Sequence, residues 1–129
     1  MTFTEKIYHQ VNNLGYVSTD EFSKYWLGQS RSYYSSNKAR GIEASTCALV
    51  KLMNKLTEQK ALLETNARHP FILETAKKYE VLAREVGEEI ANRSIKANVA
   101  NRVVKDMLIK IVAEVNEQKH PSAMPIIIG

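Results

Sequence analysis

Apolar residues recur every three or four positions along most of the chain, and this spacing constrains the fold more than any other feature. It is the spacing of residues that share one face of an α-helix. Single glycines and the step His69-Pro70 separate the segments that carry it. With 5 Gly and 3 Pro in 129 residues, the chain also lacks the turn residues of an all-β protein. We therefore predict an all-α protein.

Four helices are predicted in the first half of the chain, because each apolar segment has its own start and stop signals. A Ser or Thr that can cap the helix precedes each segment. A glycine closes the first three segments, and the fourth continues through Leu63. The predicted start and stop residues are Thr2 and Gly15, Ser18 and Gly28, Ser30 and Gly41, and Ser45 and Leu63.

Longer helices are predicted in the second half, after the break at His69-Pro70. The first has a narrow apolar seam, and a second stripe runs from Ile95 to Val115. The two stripes meet near residues 92–94, and the spacing allows either a helical hairpin or one long kinked helix. We place a domain boundary between residues 67 and 68 and a flexible tail from about residue 120. The seam consists of Ile72, Ala76, Tyr79, Ala83, Val86 and Ile90.

The segment with the most specific pattern joins two short helices across Leu27-Gly28-Gln29-Ser30. A glycine in such a turn permits the sharp reversal of a helix-turn-helix. Together with Arg31-Ser32, Ser35 and Arg40-Gly41, this segment resembles the helix-turn-helix of the lambda-repressor/Xre-like DNA-binding class over about residues 18–56. The resemblance implies a small residue where the two helices cross, at Ser23 or Lys24, and an inward-facing Tyr34.

Charge is concentrated in the same part of the chain. The whole protein has a net charge of +4, whereas residues 22–56 contain six basic residues and only one acidic residue, Glu43, and so have a net charge of +5 by themselves. Short polar side chains and tyrosines lie between these bases, and such groups suit phosphate oxygens and base edges. The basicity therefore belongs to a local patch and favours a nucleic-acid partner.

Candidate DNA contacts follow from the position of each residue in the second helix of the motif. Residues near the start of this helix reach base edges in such proteins, so we assign Arg31, Ser32 and Tyr33 to base reading. Lys38 and Arg40, later in the helix, are assigned to backbone phosphates. The predicted DNA-binding residues are Ser30, Arg31, Ser32, Tyr33, Ser36, Asn37, Lys38 and Arg40.

The function implied by the resemblance is sequence-specific binding of double-stranded DNA in transcriptional regulation, as for a regulator of a phage or mobile element. Such proteins bind as two-fold dimers, so we expect a homodimer through residues 70–116. The alternative is a helical protein-interaction module, such as an inhibitor, adaptor or antitoxin-like protein, that retains the fold without binding DNA. Its partner would bind the C-terminal helices.

The remaining features predict no enzyme. The three histidines are isolated, and the five glycines do not form a phosphate-binding loop, so we expect no catalytic site, metal or cofactor. The chain has a single cysteine, Cys47, and its first residues lack the apolar run of a signal peptide. We expect a cytoplasmic protein without membrane segments. A second basic stretch, Arg93 to Lys105, is compatible with a solvated helix face or with a further contact surface.

Overall fold

The computed structural model describes residues 1–66, 68–97 and 109–113, and all regular structure in these ranges is helical. The prediction of an all-α protein is confirmed. None of the described helices is both long enough and apolar enough to span a lipid bilayer. The elements are α1 (Phe3–Leu14), α2 (Thr19–Glu21) with its π-helical continuation π1 (Phe22–Trp26), α3 (Tyr33–Arg40), α4 (Thr46–Thr65) and α5 (Pro70–Ala97), and residues 109–113 form a further helical turn.

Side-chain caps start three of these helices at the predicted positions. Thr2 Oγ1 accepts a hydrogen bond from the Glu5 backbone N–H at 3.2 Å, and the Glu5 carboxylate accepts one from the Thr2 N–H at 2.8 Å. These hydrogen bonds to Thr2 lower the pKa of Glu5 below its ordinary value. Ser18 caps α2 and Ser45 caps α4, each with an Oγ···N distance of 3.1 Å. The local start signals are therefore confirmed for α1, α2 and α4.

The hydrophobic core joins the N-terminal helices to the first part of α5. Residues 1–90 form one compact unit, and residues 91–129 form a second. The boundary thus follows Ile90 and differs from the predicted one at residue 67, because side chains of α5 complete the core of the first unit. The fully buried members of this core are Ile7, Val11, Phe22, Leu27, Ala48, Leu49, Leu52, Leu56 and Val86.

The predicted seam of α5 is largely used inside the chain's own core. Ala76, Tyr79 and Val86 are buried, as is Leu82, which the seam did not include. The expectation that this whole stripe is available for self-association is therefore corrected, since Tyr79 and Val86 belong to the core shared with the N-terminal helices and Ala83 and Ile90 pack against it.

Helix α5 continues without interruption through residues 92–94, where the sequence left open either a helical hairpin or one long kinked helix. Its sequence there has neither Gly nor Pro, so nothing in the backbone forces an end. Most of the stripe from Ile95 to Val115, the basic stretch beyond Ala97 and the tail from residue 120 lie outside the described residues.

Two adjacent positions of α5 test whether this helix belongs to the core. Leu82 is 5% exposed and Val81 is 44% exposed. We expect Leu82→Ala to lower the free energy of unfolding by about 2–4 kcal/mol, because it leaves a cavity in the shared core. The matched change Val81→Ala is expected to alter it by about 0.5 kcal/mol or less. Urea denaturation followed by circular dichroism measures both, and equal losses would contradict this assignment of α5.

Candidate nucleic-acid interface

The first helix of the predicted motif contains a π-helical turn. The Leu27 backbone N–H donates to the Phe22 carbonyl at 2.9 Å, five residues earlier and not four as in an α-helix. A π turn holds one additional residue, so the inward positions shift along the sequence. Ser23 is completely buried, whereas Lys24 is exposed, with its ammonium 5.4 Å from the centre of the Tyr25 ring. Of the two predicted candidates, Ser23 therefore occupies the inward position in π1.

The hydroxyl of Ser23 links this first helix to α3. Its Oγ donates to the Thr19 carbonyl and accepts from the Tyr34 backbone N–H, each at 2.9 Å. Tyr34 is the second residue of α3, and its N–H is one of the groups that a helix leaves without an internal partner. Ser23 thus performs the role of an N-cap for α3, although it lies eleven residues earlier in the chain.

This link explains why α3 begins later than predicted. Ser30 was expected to cap a helix starting at Arg31, but the structure begins α3 at Tyr33. The preceding residues form a turn in which the Ser30 carbonyl accepts from the Tyr33 N–H at 3.1 Å. Because Ser23 supplies the capping oxygen from another helix, Ser30 is not needed as a side-chain cap.

Two glycines with positive φ lie at the two ends of the α3 region. Gly28 and Gly41 both have φ of 65°, a left-handed conformation that side chains with a Cβ disfavour. After Gly41, the Ile42 N–H donates to the Asn37 carbonyl at 2.8 Å, which closes α3 in the manner of a Schellman motif. After Gly28, the Gln29 N–H donates to the Ser23 carbonyl at 2.9 Å and ends π1.

An aromatic cluster fixes the orientation of α3 from the inside. The Tyr34 ring is 4.7 Å from that of Tyr8 and 5.3 Å from that of Phe22, the latter in an edge-to-face arrangement. Tyr34 is 2% exposed, and it therefore has the inward orientation that the resemblance implied. Burial raises its pKa to about 12, and its hydroxyl has no hydrogen-bond partner among the described residues. Its contribution is therefore the packing of its ring.

Most of the predicted DNA-binding residues lie at the surface. Tyr33, Ser36, Asn37 and Arg40 fall within an arc of about 100° around α3, on a side that excludes the buried Tyr34. Tyr33 and Asn37 are half-buried, and the Tyr33 hydroxyl accepts from the Ser45 N–H at 2.9 Å, which ties α3 to the start of α4. The six exposed members of the predicted set are Ser30, Arg31, Ser32, Ser36, Lys38 and Arg40.

Arg31 forms an ion pair that the sequence pattern did not reveal. Its Nη2 is 3.3 Å from Oδ2 of Asp20, in the first turn of α2, and the Arg31 side chain is 76% exposed. The pair joins residues on opposite sides of the Gly28 turn. Arg31 is therefore oriented by a contact within the chain while its remaining donors face solvent.

Glu43, the single acid of the basic segment, has a structural role. Its carboxylate accepts hydrogen bonds from the Phe3 N–H at 2.7 Å, the Thr4 N–H at 3.1 Å and the Thr4 hydroxyl at 2.8 Å. It thus holds the loop between α3 and α4 against the N-terminus of α1, where a negative charge is favourable. No local signal predicts this contact, because its partners lie about forty residues earlier in the sequence.

Two lysines of α4 lie next to the turn between π1 and α3. The Lys51 side chain occupies the space beside Gly28 where a Cβ would project. The Lys55 ammonium lies 5.8 Å from the centre of the Trp26 ring. The positive charge of residues 22–56 is therefore contributed by α4 as well as by the α3 region.

A separate groove of about 490 Å³ is lined by residues of α1 and α5, and none of the predicted DNA-binding residues takes part in it. Gln10 of α1 and Glu85 of α5 each contribute a buried side-chain oxygen without a hydrogen-bond partner among the described residues. Exposed Lys77 and Lys78 lie at the same groove. The described part of the chain thus carries a concave surface that is separate from the exposed face of α3.

Comparison with known proteins identifies a family. One family model matches residues 4–100, which include nearly all of α1 and the whole of α2 to α5. The chain belongs to DUF6626, a family of unknown function. No curated protein and no solved structure matches the chain. The region matched by DUF6626 contains both the helix pair around Gly28 and the α5 residues that complete the core.

The link between Ser23 and α3 can be tested by two hydroxyl deletions. Ser23→Ala leaves the buried Tyr34 N–H without an acceptor, so we expect it to lower the free energy of unfolding by about 1–3 kcal/mol. Tyr34→Phe removes a hydroxyl that has no partner, and we expect a change of about 0.5 kcal/mol or less. Thermal or urea unfolding gives both values. A loss in Tyr34→Phe as large as that in Ser23→Ala would contradict the assigned contacts.

Proposed function

We propose that this DUF6626 protein binds double-stranded DNA in a sequence-specific manner and regulates transcription. The observation that carries the proposal is the helix pair around Gly28. The Ser23 hydroxyl accepts a hydrogen bond from the N-terminus of α3, and the Tyr34 ring is buried on the inner side of α3, so the outer side of α3 is exposed. A short helix that is held in this way and carries basic side chains has the shape and the positive charge to enter the major groove.

The exposed residues fall into two groups by position. Arg31 and Ser32 lie just before α3 and are the candidates for base edges, where an arginine can bind the two acceptors of a guanine. Lys38 and Arg40 lie in the last turn of α3 and are the candidates for phosphates. Since the Tyr33 hydroxyl is bound to the Ser45 N–H, we assign Tyr33 mainly to positioning α3.

Selection from random duplex DNA, followed by binding measurements on the enriched site and on unrelated DNA, tests this function. We expect Arg31→Ala to weaken binding to the enriched site by about 10- to 100-fold and to affect unrelated DNA much less. Lys38→Ala should weaken both alike and reduce the slope of log K against log salt concentration by about 0.9. Failure to enrich any sequence, with only salt-sensitive micromolar binding, would overturn the proposal.

A homodimer through residues 70–116 remains part of the proposal, with a narrower interface. Because Ala76, Tyr79 and Val86 are buried in the chain's own core, the large apolar side chains that are exposed on the described part of α5 are Phe71 at 74% exposure, Leu73 and Val81. Phe71 and Val81 lie about 80° apart around α5, so a two-fold interface would cover these two side chains and place two α3 helices on successive half-sites.

Light scattering at tens of micromolar protein tests the dimer. We expect the mass of two chains for the native protein and of one chain for Phe71→Ser, with unchanged helix content by circular dichroism because Phe71 is outside the core. A native protein with the mass of one chain would contradict the proposed interface.

The alternative function, a protein-interaction module, is favoured by the same exposed apolar side chains of α5 and by the groove beside α1. It requires no DNA contact, so substitution of Arg31 would leave partner binding unchanged while Phe71→Ser would weaken it. Point substitutions are needed for this comparison, because removal of α5 would expose the core that it completes.

A further inference from the structure

Asp20 forms an ion pair with Arg31 of the proposed base-reading group, and it was not among the predicted site residues. Its Oδ2 lies 3.3 Å from Nη2 of Arg31, and its side chain is 56% exposed. The backbone on both sides of this pair is well fixed. Ser18 caps the turn that carries Asp20, and the Ser30 carbonyl closes the turn that carries Arg31.

An exposed ion pair of this kind contributes little to folding stability, so we expect its main effect to be on the groups that Arg31 binds. One guanidinium N–H is directed to Asp20, and four remain for other acceptors. If Arg31 turned away to a phosphate, Asp20 would be left as an uncompensated negative charge close to the DNA backbone. If Arg31 kept its contact with Asp20 while binding a base edge, the carboxylate would stay neutralised.

From this contrast we infer that Asp20 is a specificity-determining positioning residue: it holds Arg31 for base reading and penalises binding modes in which Arg31 binds phosphate. The inference rests on the proposed DNA-binding function. It predicts that Asp20 lowers the affinity for unrelated DNA more than the affinity for the preferred site. The ratio of these two affinities is therefore the quantity that the pair controls.

Glu21 provides a matched control within the same turn. It is exposed, follows Asp20 directly and forms no ion pair among the described residues. Asp20→Asn and Glu21→Gln each remove one negative charge from the same helical turn, but only the first removes the carboxylate that pairs with Arg31. Any effect of net charge on DNA binding should appear in both variants, whereas an effect of Arg31 orientation should appear in Asp20→Asn alone.

The experiment measures the affinity of the full-length protein for the duplex enriched by the native chain and for an unrelated duplex of equal length, at two or more salt concentrations. For Asp20→Asn we expect tighter binding to unrelated duplex, a steeper salt dependence there and a specificity ratio lowered by about threefold or more. For Glu21→Gln we expect both affinities to rise alike and the ratio to stay unchanged. Asp20→Glu, which retains the charge, should recover most of the native ratio.

The outcomes separate this inference from the function on which it rests. If the native protein has no preferred sequence, the proposed DNA-binding function fails. If the native protein has a preferred sequence and Asp20→Asn changes the ratio no more than Glu21→Gln does, the function stands and the role of Asp20 is refuted. Equal thermal stability of the three variants, expected for exposed positions, excludes unfolding as the source of any difference.

Discussion

The contact on which the α3 region depends is the hydrogen bond between the Ser23 hydroxyl and the Tyr34 N–H. A helix of eight residues is too short to be stable by itself, so its position must come from tertiary contacts. Ser23 supplies a cap from the preceding helix, and the Tyr34 ring packs against the rings of Tyr8 and Phe22. The outer face of α3 is exposed because its inner face packs against Tyr8 of α1 and Phe22 of π1, and its N-terminus is held by Ser23 of π1.

The π turn makes this arrangement possible. Because its bonded groups are five positions apart in the sequence, π1 turns Ser23 inward and brings Leu27 and Trp26 into the core at the same time. Such turns are uncommon and occur often at functional sites. Here the turn lies directly before Gly28, so the additional residue and the left-handed glycine together set the direction in which the chain enters α3.

Local sequence signals predicted the elements whose ends are determined locally. The caps Thr2, Ser18 and Ser45 bond to backbone groups three residues later, and such signals depend on neighbouring residues alone. The start of α3 was predicted two residues too early, because its cap comes from Ser23. The α5 seam was assigned to a second copy of the chain, because periodicity identifies an apolar face and contains no information about what covers it.

The sequence alone determined the helical class, the turn at Gly28 and the concentration of positive charge in residues 22–56, since these depend on spacing and composition. Only the tertiary structure decided how the polar residues are used. Glu43 caps α1, Tyr33 holds the start of α4, and Arg31 is paired with Asp20. These partners lie 11 to 40 residues apart in the chain, so a pattern confined to neighbouring residues cannot reveal which polar groups the fold uses itself.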